Sequence, residues 1–340
     1  ELSKTAENCL IVVDEKKCLI GTLTDGDLRK AILKGVDIEK SIKGIYCTTP
    51  TYSYKNEYSL DKIKETFLEK KLVLLPIVDK DMRVVDVLLW KNVFKSEEKM
   101  ISRKAIRAPV VIMAGGEGSR LEPFTKVLPK PLVPIHGKPV IEHIIKRFTS
   151  VGVSYFYLTV NYKSRILKAF FEELRPEYSV NFIEEQEPLG TAGGLKLLEE
   201  TLNETFLVTN CDIIIDVDYA DLYSFHKIND YDITLVASMK NFVIPYGTCE
   251  LNGNGYLECI KEKPEHNLLV NTGLYLLNPE VIRLIPEQEI YHMTKLINDA
   301  KSKDLKVGVY PIDDDAWIDI GQWSEYKSAI KKFEAEHDCL

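Results

Sequence analysis

A glycine-rich turn and two nearby cationic side chains form the part of this sequence best suited to chemistry. The apolar run Val110–Met113 ends at Ala-Gly-Gly-Glu-Gly-Ser-Arg, which occupies residues 114–120. Glycines let a backbone bend and bring its N–H groups close to a ligand. Arg120 closes the turn, and Lys130 follows between two prolines. Backbone donors and two cations beside rigid neighbours favour a polyphosphate ligand.

Two better-known phosphate-binding motifs do not fit this turn. It lacks the Gly-x-x-x-x-Gly-Lys-Ser/Thr pattern of a P-loop. Its glycines are spaced Gly-Gly-x-Gly, so the Gly-x-Gly-x-x-Gly dinucleotide pattern is absent as well. An ordinary turn would need neither Arg120 nor the Pro-Lys-Pro sequence around Lys130.

The stretch from Val110 to Ile135 as a whole resembles the first motif of the sugar-1-phosphate nucleotidyltransferases, the enzymes that make nucleotide sugars. The resemblance implies that the turn binds the triphosphate of a nucleotide. It implies catalytic roles for Arg120, Lys130 and Asp212. The nucleotide-binding residues that it implies in this first motif are Ala114, Gly115, Gly116, Gly118 and Ser119.

A second segment, Pro-Leu-Gly-Thr-Ala-Gly at residues 188–193, follows a predicted strand and opens a predicted helix. Backbone N–H groups at such a helix start can face a nucleotide. The segment matches a block that lies against the base and ribose in the same family, which implies contacts from Gly190, Thr191 and Ala192. Glu185 or Glu187 would accept hydrogen bonds from guanine. Each carboxylate has the alternative role of a solvated charge that interacts with the helix dipole.

Two aspartates match the positions at which this family holds magnesium. Asp212 follows the apolar run Thr205–Thr209, and Asp319 lies in the sequence Trp-Ile-Asp-Ile-Gly. An unpaired carboxylate in apolar surroundings is costly, and a divalent cation offsets that cost. Two carboxylates together with phosphate oxygens and water are typical ligands of Mg²⁺. We therefore expect Mg²⁺ as the cofactor, although a single aspartate would more often be a cap or turn residue.

Three short segments complete the resemblance and imply a pocket for a sugar phosphate. A glycine lets the main chain approach the sugar, a glutamate accepts from hydroxyls, a lysine meets the phosphate, and an asparagine bonds ring substituents. The residues so implied are Tyr246, Gly247, Glu262, Lys263, Asn271 and Thr272.

The implied reaction is nucleotidyl transfer. A sugar-1-phosphate oxygen attacks the α-phosphorus of a nucleoside triphosphate and pyrophosphate leaves, so catalysis is mainly positioning and charge neutralisation. The wording of the first motif most resembles guanylyltransferases, especially the glucosamine-1-phosphate type of legionaminic acid synthesis, which implies GTP, glucosamine-1-phosphate and the product GDP-glucosamine. Mannose-1-phosphate guanylyltransferases come next, and uridylyl and thymidylyl transferases share the core motifs.

An alternative of another class is a regulatory nucleotide-binding subunit that has lost catalysis. Such a protein usually loses some of the residues that carry the chemistry. This chain retains Arg120, Lys130, Asp212, Lys263 and Asp319.

The elements that must position these residues alternate between strands and helices. That rhythm predicts an α/β fold with a Rossmann-like mixed, mostly parallel sheet, in which ligands gather at the carboxyl ends of the strands. The resemblance implies the nucleotide-diphospho-sugar transferase fold. The predicted strands are Val110–Ala114, Tyr155–Val160, Val180–Ile183, Thr205–Thr209 and Ile233–Ala237, the predicted helices are Ser164–Leu174 and Gly193–Glu200, and a hairpin joins Thr248–Leu251 to Tyr256–Lys261.

The 340 residues are more than one domain usually holds, and we expect two. Residues 1–98 repeat a strand, charged turn, strand pattern, first at Leu10–Thr24 and again at Leu74–Leu89. This part resembles a small α+β pair of cystathionine-β-synthase (CBS) domains with a truncated first copy. A charged linker is expected at 99–108 and the catalytic domain at 109–340.

The CBS resemblance implies one site for an adenine nucleotide. Thr24 and Asp27 are spaced like residues that hold the ribose in that family. The second copy has Asp86, Leu89 and Asn92 at the positions that match Gly21, Thr24 and Asp27. The alternatives are that Thr24 and Asp27 only tie a helix start, or that the pair serves to form a dimer.

Composition limits the partners. A formal net charge of -8 argues against nucleic acid as the main partner but leaves room for nucleotides. No apolar run reaches the roughly 18 residues of a membrane helix, so we expect no membrane partner. The seven cysteines include no Cys-x-x-Cys pair, which fits a reducing cytoplasm. We also expect a homo-oligomer, most simply a dimer.

Overall fold

The computed structural model describes residues 9–24, 27, 31, 42–55, 59–70, 72, 74–89, 93 and 106–337. The chain forms two compact units. The first comprises Glu1–Lys95 and Lys240–Leu268, and the second comprises Ser96–Met239 and Leu269–Leu340. The division into 1–98, a linker and 109–340 stays a prediction, since residues 99–105 of that linker lie outside the described part.

The first unit contains the two hairpins predicted from the sequence. Strand β1 (Cys9–Val13) pairs antiparallel with β2 (Leu19–Thr24). Strand β3 (Ser53–Tyr54) and helix α1 (Leu60–Lys70) precede the second hairpin. That hairpin consists of β4 (Leu74–Val78) and β5 (Val84–Leu89), again antiparallel, and β3 extends it as a parallel neighbour of β4.

The two hairpins are equivalent in detail. A register irregularity falls between Val12 and Val13 in one and at the same place, between Ile77 and Val78, in the other. In the first turn, Oδ1 of Asp14 accepts backbone hydrogen bonds at 2.9 and 2.8 Å. In the second turn, the aspartate 65 positions later accepts the equivalent two at 2.9 Å each.

The two turns also bond each other reciprocally. The N–H of Leu19 donates to the carbonyl of Met82 at 2.8 Å, and the N–H of Val84 donates to the carbonyl of Lys17 at 3.0 Å. Both carbonyl-bearing residues adopt left-handed backbone conformations, with φ of 63° and 61°. The predicted internal repeat is therefore confirmed as geometry, while its identity as a CBS pair stays a proposal.

The further strands and helices of the described chain, in order, begin with β6. The strands are β6 (Val110–Met113), β7 (Pro134–Ile135), β8 (Lys138–Pro139), β9 (Tyr155–Val160), β10 (Ser179–Glu184), β11 (Phe206–Asn210), β12 (Ile213–Ile215), β13 (Ile233–Val243), β14 (Thr248–Leu251), β15 (Leu257–Lys261), β16 (Glu265–Leu277), β17 (Val307–Ile312) and β18 (Trp317–Asp319). The helices are α2 (Phe124–Val127), α3 (Val140–Thr149), α4 (Ser164–Leu174), α5 (Gly190–Gly193), α6 (Tyr219–Ile228), α7 (Met293–Ser302) and α8 (Trp323–His337).

A seven-stranded sheet organises the second unit. Its spatial order is β10-β9-β6-β11-β16-β13-β17. Strands β10, β9, β6 and β11 run parallel in succession, β13 runs parallel to β17, and β16 runs antiparallel to β11. The expectation of a mixed, mostly parallel sheet is confirmed. The predicted hairpin is also present as β14 paired with β15, and it belongs to the first unit.

Apolar side chains cover both faces of this sheet. Helix α3 illustrates one face, because Val140, Ile141, Ile144, Ile145 and Phe148 recur at helical spacing and are buried. The other face packs against α5, α7 and the 3₁₀ turns Gly194–Leu198 and Pro279–Leu284. The helix predicted at Gly193–Glu200 is instead one α-turn followed by a 3₁₀ turn, since paired glycines weaken an α-helix.

None of the helices within the described ranges combines the length and the apolar character that spanning a lipid bilayer requires.

Candidate active site

The glycine-rich turn leaves the carboxyl end of β6, where the N–H of Ala114 donates to the carbonyl of Thr159 at 2.9 Å. Gly118 has a left-handed φ of 69°, and a Cβ there would lie 2.9 Å from Cγ2 of Thr125. A side chain at 118 is thus excluded by conformation and by space. At Gly116, by contrast, a Cβ would meet no described atom within 4 Å, so the backbone is open to a ligand.

The two predicted cations differ in environment. Arg120 lies in a 3₁₀ turn, Ser119–Leu121, and its side chain is exposed. Lys130 is largely buried, and its Nζ donates to Oδ2 of Asp212. Burial lowers the pKa of Lys130, but the charge and hydrogen bond of Asp212, together with Cys211 and Asp319, hold that pKa above its ordinary value. Lys130 therefore stays charged, as a residue that neutralises phosphate must.

Asp212 and Asp319 are brought together by a short antiparallel pair. Strand β12 follows Asp212, and β18 ends at Asp319, which pairs in register with Ile213. A Cβ built on Gly321 would lie 2.8 Å from Oδ2 of Asp212 and 3.0 Å from Oδ1 of Asp319. The two carboxylates thus converge on the same small space, although 106 residues separate them in the sequence.

Electrostatics at this pair favour a cation. Burial raises the pKa of Asp319, and the nearby charge of Asp212 raises it further. The N–H of Gly321 donates to Oδ1 of Asp319 at 2.7 Å and partly offsets the effect. Two partly buried carboxylates, of which Asp212 pairs with the ammonium group of Lys130, retain unneutralised negative charge.

The donor set fits a magnesium ion that is completed by substrate. Within the described residues, no group of three or more His, Cys, Asp or Glu side chains could hold a metal on its own. Mg²⁺ does not require such a group, because one or two carboxylates with phosphate oxygens and waters are sufficient. Asp212 and Asp319 are the residues that would hold it.

The structure separates the two carboxylates proposed to recognise the base. Glu185 is buried, and Oε2 accepts from the N–H of Leu189 at 3.2 Å. A Cβ at Gly115 would lie 3.1 Å from the same oxygen, and one at Gly194 would clash with Oε1. Burial raises the pKa of Glu185. The side chain of Glu187 is exposed, so the carboxylate that lies against the glycine-rich turn is that of Glu185.

At the start of helix α5, backbone N–H groups that were expected to face a ligand already have hydrogen-bond partners within the protein. The N–H groups of Ala192 and Gly193 donate to the carbonyl of Tyr291 at 2.9 and 3.1 Å. Oγ1 of Thr191 accepts from the N–H of Met293 at 3.0 Å. The N–H of Ala192 thus has a partner within the protein, because the segment before α7 packs against this helix start. A nucleotide contact of Ala192 stays a prediction. Gly190 has a φ of 80°, a backbone conformation that residues other than glycine rarely adopt.

Asn271 and Thr272 are neighbours on β16 and therefore face opposite sides of the sheet. Asn271 is exposed; its Nδ2 donates to the Tyr275 hydroxyl at 2.8 Å, and its Oδ1 accepts from the N–H of Gly273. Thr272 is buried, and its hydroxyl donates to the carbonyl of Val236 at 2.8 Å. This hydroxyl therefore contributes to the sheet, and the expected role of Thr272 as a sugar-phosphate ligand stays a prediction.

The other sugar-phosphate candidates belong to the first unit and lie together at the open end of the β14–β15 hairpin. The N–H of Lys263 donates to the carbonyl of Tyr246 at 3.3 Å. A Cβ at Gly247 would lie 3.0 Å from Oε2 of Glu262. Their role in binding a sugar phosphate stays a prediction.

Thr24 and Asp27 in the first unit form a closed local arrangement. Oδ2 of Asp27 accepts from the N–H of Thr24 at 2.9 Å and from its hydroxyl at 2.7 Å. The N–H of Asp27 donates back to Oγ1 of Thr24 at 3.2 Å. This reciprocal pattern is that of a capping box, so the geometry favours the structural role. Asn92, the matching position in the second copy, lies outside the described residues.

Three residues of the candidate site were not predicted from the sequence. Asn161 and Lys163 follow β9 directly; the amide of Asn161 donates to the carbonyl of Glu185 at 2.7 Å. The position of these two after a buried parallel strand was the available signal. Gly321 closes the Trp-Ile-Asp-Ile-Gly motif, and its close approach to two carboxylates has no local signal.

The described geometry defines a class of protein. A family model described as "Nucleotidyl transferase" matches residues 109–336, so the chain belongs to that family.

Curated relatives of the chain carry a more specific name. Proteins named mannose-1-phosphate guanyltransferase from Yarrowia lipolytica and from Saccharomyces cerevisiae are each 35% identical to it, over 232 and 233 residues. Each alignment covers 64% of this chain and 62% of the relative, so the chain spans less than two thirds of their length. The protein of the same name from Debaryomyces hansenii is 34% identical over 251 residues, and that alignment covers 67% of each chain.

Solved structures agree on the fold. HddC from Yersinia pseudotuberculosis superposes with a TM-score of 0.53 and 27% identity, and covers 66% of this chain and 99% of HddC. HddC complexed with GMP-PN is also similar, at a TM-score of 0.53, 26% identity and the same coverages.

Proposed function

We propose that this protein is a sugar-1-phosphate guanylyltransferase that joins GTP to a sugar-1-phosphate and releases pyrophosphate. The observation that carries the proposal is the convergence of Lys130, Asp212 and Asp319. These three charged side chains come from distant segments, and Lys130 lies against Gly118 of the glycine-rich turn. Membership of the nucleotidyl transferase family and the names of the relatives support the same reaction.

The chain's own residues divide the work between the two ends of the triphosphate. The open backbone at Gly116 would approach the phosphates, and the exposed Arg120 would bind the leaving pyrophosphate. Lys130 would neutralise charge that develops at the α-phosphate. Asp212 and Asp319 would hold Mg²⁺, which supplies further charge neutralisation at phosphate oxygens when it is bound. The attacking sugar phosphate is already anionic, so no general base is needed.

Guanine is the base that best suits Glu185. A carboxylate accepts two hydrogen bonds side by side, and guanine offers N1–H and an exocyclic amine as adjacent donors. Burial of Glu185 next to Gly115 adds to its suitability, since a desolvated acceptor discriminates more strongly between ligands. The guanyltransferase names of the relatives support the same choice of base.

The sugar is proposed on two separate grounds. The motif wording and the repeated N-terminal part favour glucosamine-1-phosphate, whereas the names of the relatives favour mannose-1-phosphate. A hydroxyl and an amine at one ring carbon differ in charge and donor number, and a few contacts such as those of Asn271 would distinguish them. We place glucosamine-1-phosphate first and mannose-1-phosphate second.

The test is pyrophosphate release across four nucleoside triphosphates and a panel of glucosamine-, mannose- and glucose-1-phosphate, with Mg²⁺ present. The proposal expects GTP to exceed the other nucleotides by at least tenfold in kcat/KM with one of the first two sugars. Activity with UTP or dTTP alone would leave the family assignment intact and overturn the base. No release with any pair, in protein that binds GTP, would support the regulatory subunit instead.

A further inference from the structure

Lys163 lies beside the glycine-rich turn although no motif includes it. It follows strand β9, whose carboxyl end adjoins that of β6. Its Nζ donates to the carbonyl of Thr125 at 2.9 Å and lies 4.9 Å from the ring centre of Tyr162. A carbonyl and an aromatic face are both favourable partners for an ammonium ion. The side chain is therefore held in one direction, towards α2.

Thr125 passes this constraint to the turn. Its side chain is 2% exposed, and its hydroxyl donates to the carbonyl of Gly118 at 2.9 Å. Its methyl group fills the space where a Cβ on Gly118 would stand. Thr125 thus fixes Gly118 by a hydrogen bond on one side and by packing on the other.

Gly118 connects the two cations proposed to bind the triphosphate. Its carbonyl also accepts from the N–H of Leu121 at 2.9 Å, which closes the 3₁₀ turn that carries Arg120. A Cβ on Gly118 would lie 3.1 Å from Cβ of Lys130. A displacement of Gly118 would therefore move Arg120 and press on the stem of Lys130 together.

We infer that Lys163 is a positioning residue that holds the triphosphate loop, residues 114–120, through Thr125 and Gly118. The ligand class whose binding it supports is a nucleoside triphosphate, so the inference rests on the proposed function. Lys163 acts without touching the phosphates. Loss of its hydrogen bond leaves the loop free to sample arrangements that bind less well, and a smaller competent fraction weakens the apparent affinity.

The experiment compares Lys163→Met and Thr125→Val with two controls. Lys163→Met keeps the aliphatic stem, and Thr125→Val keeps the methyl group while removing the hydroxyl. Lys168→Met is the matched control. Lys168 lies on α4, and its Nζ contacts the exposed carboxylate of Glu184 and the ring of Phe182, neither of which belongs to the glycine-rich turn. Thr125→Ser retains the hydroxyl but loses the methyl group, and it should stay closer to the unaltered protein than Thr125→Val does.

Three readouts are taken for each variant: KM and kcat for GTP, the Kd of inorganic tripolyphosphate with Mg²⁺, and hydrogen exchange in the peptide covering residues 114–126. Lys163→Met and Thr125→Val should each raise KM and Kd about tenfold, as expected for loss of a hydrogen bond with a charged partner or to a buried acceptor. Loop exchange should become faster, kcat should change less than KM, and the double variant should not be additive.

Unchanged KM and Kd in both variants would overturn the inference. A raised KM with unchanged loop exchange would also overturn it, because Lys163 would then contact the nucleotide directly. If the unaltered protein releases no pyrophosphate from any nucleotide, the proposed function fails separately. Tripolyphosphate binding and loop exchange then decide the inference alone.

Discussion

Both units contain aspartates for which the sequence predicts a role in nucleotide binding, but the structure uses the two sets differently. Asp27 is three residues from Thr24, and the pair satisfies itself through three mutual hydrogen bonds. Asp212 and Asp319 come from distant segments, and their charge is only partly balanced by Lys130. A motif of close neighbours can be explained by local structure. Carboxylates brought together from distant segments need another explanation, and binding of a metal ion and a substrate would supply it.

The largest effect is expected from Asp212→Asn, which tests directly whether the convergent carboxylates bind a metal ion. Asp212→Asn should lower kcat at least about 100-fold even at saturating Mg²⁺, because an amide neither holds the cation nor pairs fully with Lys130. Pyrophosphate release measures the loss, and thermal denaturation checks that the fold is retained. Asp216→Asn is the control, since Asp216 is an exposed aspartate paired with Arg147. Near-normal turnover of Asp212→Asn would remove the assignment.

Gly321→Ala is expected to have the next largest effect. The added methyl would stand 2.8 Å from Asp212 and 3.0 Å from Asp319, and one of the carboxylates must move. Overpacking of this size should lower kcat/KM about tenfold and raise the Mg²⁺ concentration needed for half activity. Gly253→Ala is the control, because a Cβ there would meet no described atom within 4 Å, and it should leave kcat/KM and the Mg²⁺ requirement unchanged. An unaltered Mg²⁺ requirement would argue against a shared metal site.

Glu185→Gln should reduce kcat/KM for GTP by about tenfold and narrow the preference over ATP, because one acceptor for guanine is lost. Glu187→Gln should leave both unchanged, since that side chain is exposed. Steady-state kinetics with the two nucleotides distinguish the variants. The reverse result would transfer base recognition to Glu187 and weaken the argument from burial.

The effect of pH on the KM for GTP should be smaller than the effects of these substitutions. Burial raises the pKa of Glu185, so this carboxylate takes up a proton at a higher pH than an ordinary glutamate does. The protonated group accepts one hydrogen bond fewer, and KM for GTP should rise as the pH falls from 7.5 to 5.5. In Glu185→Gln this part of the pH profile should be lost. A profile shared by both proteins would place the titrating group elsewhere.

The smallest effect is expected in the first unit. Asp27→Ala should cost about 1 kcal/mol of stability, as the loss of a helix cap does, with catalytic rates within twofold of normal. Denaturation and pyrophosphate release measure the two quantities, and Asp86→Ala on β5 is the control. A response of the unaltered protein to AMP or ATP that disappears in Asp27→Ala would break the comparison, because the local pair would then carry regulation.

Local periodicity predicted the fold of the second unit well. Helix Ser164–Leu174 and strand Tyr155–Val160 have the predicted bounds, since their patterns depend only on nearby residues. The site was harder to predict, because a sequence motif does not state which way a residue points. Thr272 lies one position from Asn271 and faces the opposite side, and the N–H of Ala192 is used by a segment about 100 residues away.

The composition of the first unit has a practical consequence for truncation. Because that unit includes Lys240–Leu268 as well as the N-terminal residues, a cut before Pro109 divides it instead of removing it. A recombinant fragment that starts there would keep the β14–β15 hairpin while discarding the residues with which it forms a compact body. Any assay on such a fragment would report on an incomplete fold. The whole 340-residue chain with point substitutions is therefore the sounder material.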